Sequence, residues 1–170
     1  MLYKKSHPIL SVITFLLFFT VIILSSVKEL SLTVKGITPF VLLPLLTAYS
    51  VFGNVKKAAL AGFLAGSCAD SVASGTYCFN TIALLLIGAV VCLAANNLFN
   101  KNIRAATVLS LFTAVIYFFF HWIFFHAFGS TAQNSLEYLL SYSLPSAIYT
   151  SVFIFPFYLI FNFFNKLRNQ

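Results

Sequence analysis

Six long apolar runs, separated by short polar clusters, organise the chain. They cover residues 8–27, 36–52, 58–74, 80–95, 105–128 and 145–164. Each is close to the length that crosses a hydrocarbon core as a helix. The pattern predicts an all-α integral membrane protein, a bundle of about six transmembrane helices in one domain over residues 1–170. Lys4 and Lys5 precede the first run as they would a signal peptide. That run exceeds the usual h-region of about 7–15 residues and more spans follow, so it reads as an uncleaved first helix. Pro39 falls in the first turn of the second span, where a missing N–H costs little, and Pro44 is deeper and should kink it. Leu136, Leu139, Leu140 and Leu144 are spaced for a short interfacial helix ahead of Pro145, which opens the last span. Pro156 should kink that span.

The polar residues inside these runs are few, and one pattern stands out. Ala58, Gly62, Gly66 and Asp70 fall four apart and line one side of the third span. Small residues let helix backbones approach closely in hydrocarbon. Asp70 is the only acid well inside an apolar run, where a carboxylate is costly and should have partners. It either caps a neighbouring turn as part of ordinary packing or has a functional role of its own. Asn80, at the start of the fourth span, and Ser67, Ser71 and Ser74 are near enough in sequence to donate to it. His121 reaches a similar depth on the fifth span. Gly75 lies in a return too short to be more than a turn, which makes spans three and four a helical hairpin, and Gly88 adds a small patch on the fourth.

Charge orients this arrangement. Of the 170 residues 61% are hydrophobic and 8% charged, with a net charge of +7. A soluble surface needs about a quarter charged residues. Lys4, Lys5, Lys56, Lys57, Lys101, Arg104, Lys166 and Arg168 fall on one side of the predicted topology, Lys28 and Lys35 on the other. That asymmetry puts both termini in the cytoplasm. The basic residues come in pairs between spans, facing anionic lipid. A nucleic-acid partner would need them clustered on one folded face, so none is expected.

The search for chemistry yields little. Cys68, Cys78 and Cys92 form no CxxC pair. His121 and His126 stand five apart and cannot share a metal from a regular helix. Glu29 and Glu137 are loop residues, so there is no carboxylate pair, and no P-loop or nucleophile elbow occurs. Neither metal nor cofactor is expected, and the chain reads as a non-enzyme. Asp70, Tyr77, Asn80, Thr81 and His121 could converge near the outer leaflet. That keeps open a binder of a small solute.

The order of Pro39, Tyr49, Gly62-x3-Gly66-x3-Asp70, Gly75, Phe79-Asn80 and Gly88 resembles MreD, the rod-shape-determining membrane protein family of bacteria. The likeness extends over the whole chain in length and topology, with Pro145 and Pro156 in the last span. Thr76, Tyr77 and Cys78 depart from it, standing where the family's turn commonly reads Pro, Leu and Gly. If Cys78 replaces a glycine required for positive φ, the turn pays for it. The resemblance implies a non-enzymatic subunit of the cell-elongation machinery in the bacterial inner membrane. Its partner would be MreC, and through it MreB filaments and the glycosyltransferase and transpeptidase that extend the side wall. It also implies that Pro39, Gly62, Gly66, Asp70, Gly75, Asn80 and Gly88 are the structural motif. The second reading is a substrate-binding membrane subunit of a vitamin transporter of the energy-coupling-factor type, which is similar in its six-helix architecture.

Overall fold

The computed structural model describes residues 8–26, 37–73, 77–97, 102–127 and 137–168. All the regular structure among them is helical, in six rods. These are α1 (Pro8–Ser26), α2 (Leu42–Phe52), α3 (Val55–Val72), α4 (Phe79–Asn97), α5 (Ile103–Trp122) and a last rod of two parts, α6 (Leu144–Val152) and α7 (Ile154–Arg168). Three stretches are long and apolar enough to cross a bilayer: Phe79–Asn97, Ile103–Phe125 and Leu139–Leu167. Val12–Leu24 and Leu42–Phe52 are shorter apolar helices.

At the centre is α2, which contacts every other helix. Its sequence, Leu-Leu-Pro-Leu-Leu-Thr-Ala-Tyr-Ser-Val-Phe, has no polar face, and every residue but Tyr49 is buried. A helix apolar all round belongs inside other protein. Its two buried hydroxyls donate to their own helix, Thr47 to the Leu43 carbonyl at 2.9 Å and Ser50 to the Leu46 carbonyl at 2.7 Å. Outside it, the perimeter helices present large apolar side chains such as Phe15, Leu60, Val90, Phe112 and Leu159. That is the distribution a lipid solvent requires. α1 is the most peripheral, touching α2 and α3 through Phe18 and Val21.

The second span differs from expectation. Its helix begins at Leu42, and residues 38–40 ahead of it have no regular structure. Pro39 therefore precedes the helix. Pro44 falls in the first turn, where its missing N–H would have no intrahelical acceptor, so the predicted kink has no cause there. Eleven residues rise about 16 Å, roughly half a bilayer core. Non-helical backbone at that depth needs partners supplied by protein. They come from the last rod: the Phe40 N–H donates to the Thr150 hydroxyl at 3.0 Å, and the hydroxyls of Thr38 and Tyr142 share a hydrogen bond of 2.6 Å.

The last rod also differs. Glu137 and Tyr138 are already helical and run through a π turn, Leu139–Ser143, directly into α6. The separate interfacial helix is absent between Glu137 and Leu144, and Leu136 and Gly129 lie outside the described residues. Pro145 sits at the N-terminal turn of α6, inside the rod it was expected to open. The rod does break near Pro156. Phe153 donates to Thr150 at 3.2 Å, a tightened turn three residues ahead of the proline, whose ring cannot pack beside the Val152 carbonyl. A second π turn, Ile123–Ala127, extends α5.

Candidate helix-packing site

α3 and α4 form the most intimate pair in the molecule, an antiparallel hairpin. Asn54 starts α3: its side chain accepts from the Lys56 N–H at 3.4 Å, and its carbonyl takes the Ala58 N–H at 2.8 Å. One turn in, the seam begins. A Cβ built on Gly88 would lie 2.5 Å from the Ala58 carbonyl oxygen. One on Gly62 would collide with the Leu84 carbonyl, and one on Gly66 would lie 2.5 Å from the Asn80 oxygen and the Thr81 Cα. The contacts are backbone on backbone. Ala58, Gly62 and Gly66 thus meet Gly88, Leu84 and Asn80 in descending order, at a separation that only small residues permit.

Asp70 completes the series, as the C-terminal position of the stripe. Its Oδ1 accepts the Asn80 N–H at 3.2 Å, and its Oδ2 accepts the Thr81 N–H at 2.8 Å and the Thr81 hydroxyl at 2.6 Å. Asn80 and Thr81 are in the first turn of α4, whose N–H groups have no intrahelical acceptors. The carboxylate is an N-cap supplied from the neighbouring helix, and its negative charge lies against the positive end of the α4 dipole. Close approach at Gly66 makes this reach possible. Ser67 and Ser71, the local donors considered from sequence, turn back to the carbonyls of Leu64 at 3.0 Å and Ser67 at 2.8 Å. Ser74 and Gly75 lie outside the described residues.

The polar chain continues into the core. The buried Asn80 side chain accepts a hydrogen bond from the Tyr117 hydroxyl of α5. Tyr117 stacks on Phe40, centroids 4.9 Å apart, and Phe40 is held by Thr150. The ends of α3, α4, α5 and α6 nearest the α3–α4 turn are thus joined through the segment that leads into α2. His121 packs its ring on Phe125 at 4.7 Å and Phe79 at 5.7 Å. Tyr77, counted among the converging groups, is 92% exposed. Tyr117 was not singled out in the sequence, where it is one of seven aromatics between residues 117 and 125. The signal was its register: Ser110, Thr113, Ala114 and Tyr117 share the inward face of α5.

At the turn, Tyr77 and Cys78 have φ of 42° and 63°. Both are in the left-handed region that disfavours side chains with a Cβ. The position suspected from sequence of requiring a glycine does adopt positive φ. Cys68 and Cys78 are exposed, whereas Cys92 is buried and donates to the Gly53 carbonyl at 3.6 Å.

The arrangement defines a multi-helix membrane protein organised by backbone packing and one intramembrane cap. A comparison with known families gives the narrower assignment: residues 6–168 match MreD, the rod shape-determining protein. The chain belongs to that family. No curated protein and no solved structure matches it, so the expected likeness to vitamin-binding transporter subunits gains no support.

Proposed function

We propose that this chain is a non-enzymatic scaffold of the bacterial cell-elongation complex, binding MreC in the cytoplasmic membrane and through it MreB and the wall synthases. The observation that carries the reading is the family match over nearly the whole chain. The packing agrees with a structural role. Of the motif, Gly62, Gly66 and Gly88 lie in close helix contact and Asp70 caps α4 at Asn80, Pro39 lies in the segment ahead of α2, and Gly75 is assigned to the same motif from sequence. Both termini are cytoplasmic in this proposal. The exposed Lys56, Lys57, Arg104 and Lys166, at the helix ends away from the α3–α4 turn, support that orientation.

The test is complementation with capture. Expressed in rod-shaped cells depleted of their own family member, the chain should restore rods and retain MreC through detergent purification. A reporter after Gln170 should read cytoplasmic and one near Ala132 external. A chain that accumulates in the membrane yet retains no MreC and leaves the cells round would overturn the scaffold reading.

A further inference from the structure

Four hydroxyl-bearing residues stand at four-residue intervals along the start of the last rod: Tyr138, Tyr142, Ser146 and Thr150. Such residues share one face of a helix. Two of them hold the segment that leads into α2, Tyr142 through Thr38 and Thr150 through the Phe40 N–H. Between those anchors come Ser146 on the rod and Pro39 on the segment. Ser146 is fully buried and its hydroxyl has no hydrogen-bond partner. Pro39 has no N–H to offer. A buried hydroxyl left unpaired is costly and native proteins keep few of them. The fourth residue, Tyr138, stacks on Tyr142 with centroids 5.0 Å apart.

We propose that this face is a two-register latch. In the observed register Tyr142 holds Thr38 and Thr150 holds Phe40. In the other, residues 137–152 are displaced as one piece by one helical turn, about 5.4 Å, toward the basic end of the bundle. Ser146 then accepts the Phe40 N–H in place of Thr150, and Tyr138 meets Thr38 in place of Tyr142. Each bond is rebuilt with the same chemistry: Ser146 gains the partner it lacks, and Thr150 gives up the one it has.

The sliding unit is residues 137–152, which carry all four hydroxyls and the π turn Leu139–Ser143, and its C-terminal end is the break at Phe153. The face that α6 buries is made of small side chains, Ser146, Ala147, Thr150 and Ser151, and α6 packs along α5. Small side chains offer few knobs to lock one position.

The experiment measures a spin-label distance in the purified full-length chain in lipid nanodiscs. Cys68 and Cys78 are changed to Ser and Cys92 to Ala, and labels are placed on the exposed Ile148 of α6 and Lys57 at the basic end. Two distance populations are expected, differing by several ångströms. Thr150→Val, which removes the acceptor of the observed register, should enlarge the shorter population at least about threefold, whereas Thr150→Ser should leave it unchanged. Ser146→Ala and, at a less buried position, Tyr138→Phe should each diminish it. A single population in the parent protein overturns the latch whatever the variants do. Two populations whose ratio none of the substitutions alters also overturn it.

Discussion

Between α3 and α4 the closest contacts are glycine against carbonyl, with no side chain intervening. Where α5 and α6 meet, α5 buries Ala106, Leu109, Ser110, Thr113, Ala114 and Tyr117, and α6 buries Ser146, Ala147, Thr150 and Ser151. Both pairs flank α2, and both bring antiparallel helices together where no hydrophobic effect drives association. The glycine seam gains dispersion and a cap from very close approach, and has no room left. The hydroxyl seam keeps side chains in the interface, and two of its hydroxyls donate to carbonyls of their own helices. Thr113 donates to the Leu109 carbonyl at 2.9 Å and Ser151 to that of Ile148 at 2.7 Å. The first seam should therefore be intolerant of added volume, and the second tolerant of exchange.

The largest effect that contrast predicts is at Gly62 and Gly66. A leucine there must part the two backbones, and overpacking of this kind costs about 1–3 kcal/mol or more. Gly62→Leu and Gly66→Leu are expected to abolish accumulation of folded protein in membranes, and the corresponding alanines to lower the Tm in detergent. Wild-type accumulation of both leucine variants would break the comparison.

Next comes the cap. Asp70→Leu leaves two N–H groups of α4 and the Thr81 hydroxyl without their acceptor, a loss of about 2–4 kcal/mol. Asp70→Asn keeps one oxygen for Thr81 and turns its amide toward the weaker Asn80 contact, so a loss of about 1 kcal/mol is expected. Thermal unfolding of the two variants checks the order. If Asn matches Leu in stability, the charge itself holds the hairpin; if Asn alone stops rod formation at normal protein level, the carboxylate does more than cap.

In the hydroxyl seam, Thr113→Ala should change stability by less than about 1 kcal/mol, because its hydroxyl donates within its own helix and meets Thr47 of α2 only at 3.5 Å. The smallest expected effect is favourable. Tyr77→Gly or Cys78→Gly relieves a left-handed backbone and should raise the Tm by an amount corresponding to at most about 1 kcal/mol. A lower Tm in the glycine variants would mean that those side chains make contacts worth more than the strain.

The glycine seam was legible in sequence because its physics is local and periodic. Glycines at 62 and 66 with an acid at 70 announce a face, and a six-residue return dictates which helix must meet it. The cap on α4 was one of two open readings of Asp70. The lead-in to α2 was not legible. Residues 36–41 are as apolar as a helix would be, and nothing local records that Phe40 finds an acceptor 110 positions away. Nor did the leucine spacing around 136–144 distinguish a separate interfacial helix from the beginning of a rod, since both show the same period. The centrality of α2 follows from its lack of any polar side, which was visible, but its partners are spread over the whole sequence, and no single stretch reveals them.

The location of the Asp70 cap bears on how the chain is made. Donor and acceptor both belong to one stretch, Val55–Asn97, which leaves the ribosome in a single passage. Once that stretch is in the bilayer, the exposed start of its second helix is already quenched, and the hairpin can wait as a finished piece. The earlier α2 cannot. Its lead-in must remain without Thr38 and Phe40 partners until Tyr142 and Thr150 have been synthesised, so the molecule is built around a centre that is inserted early and completed last.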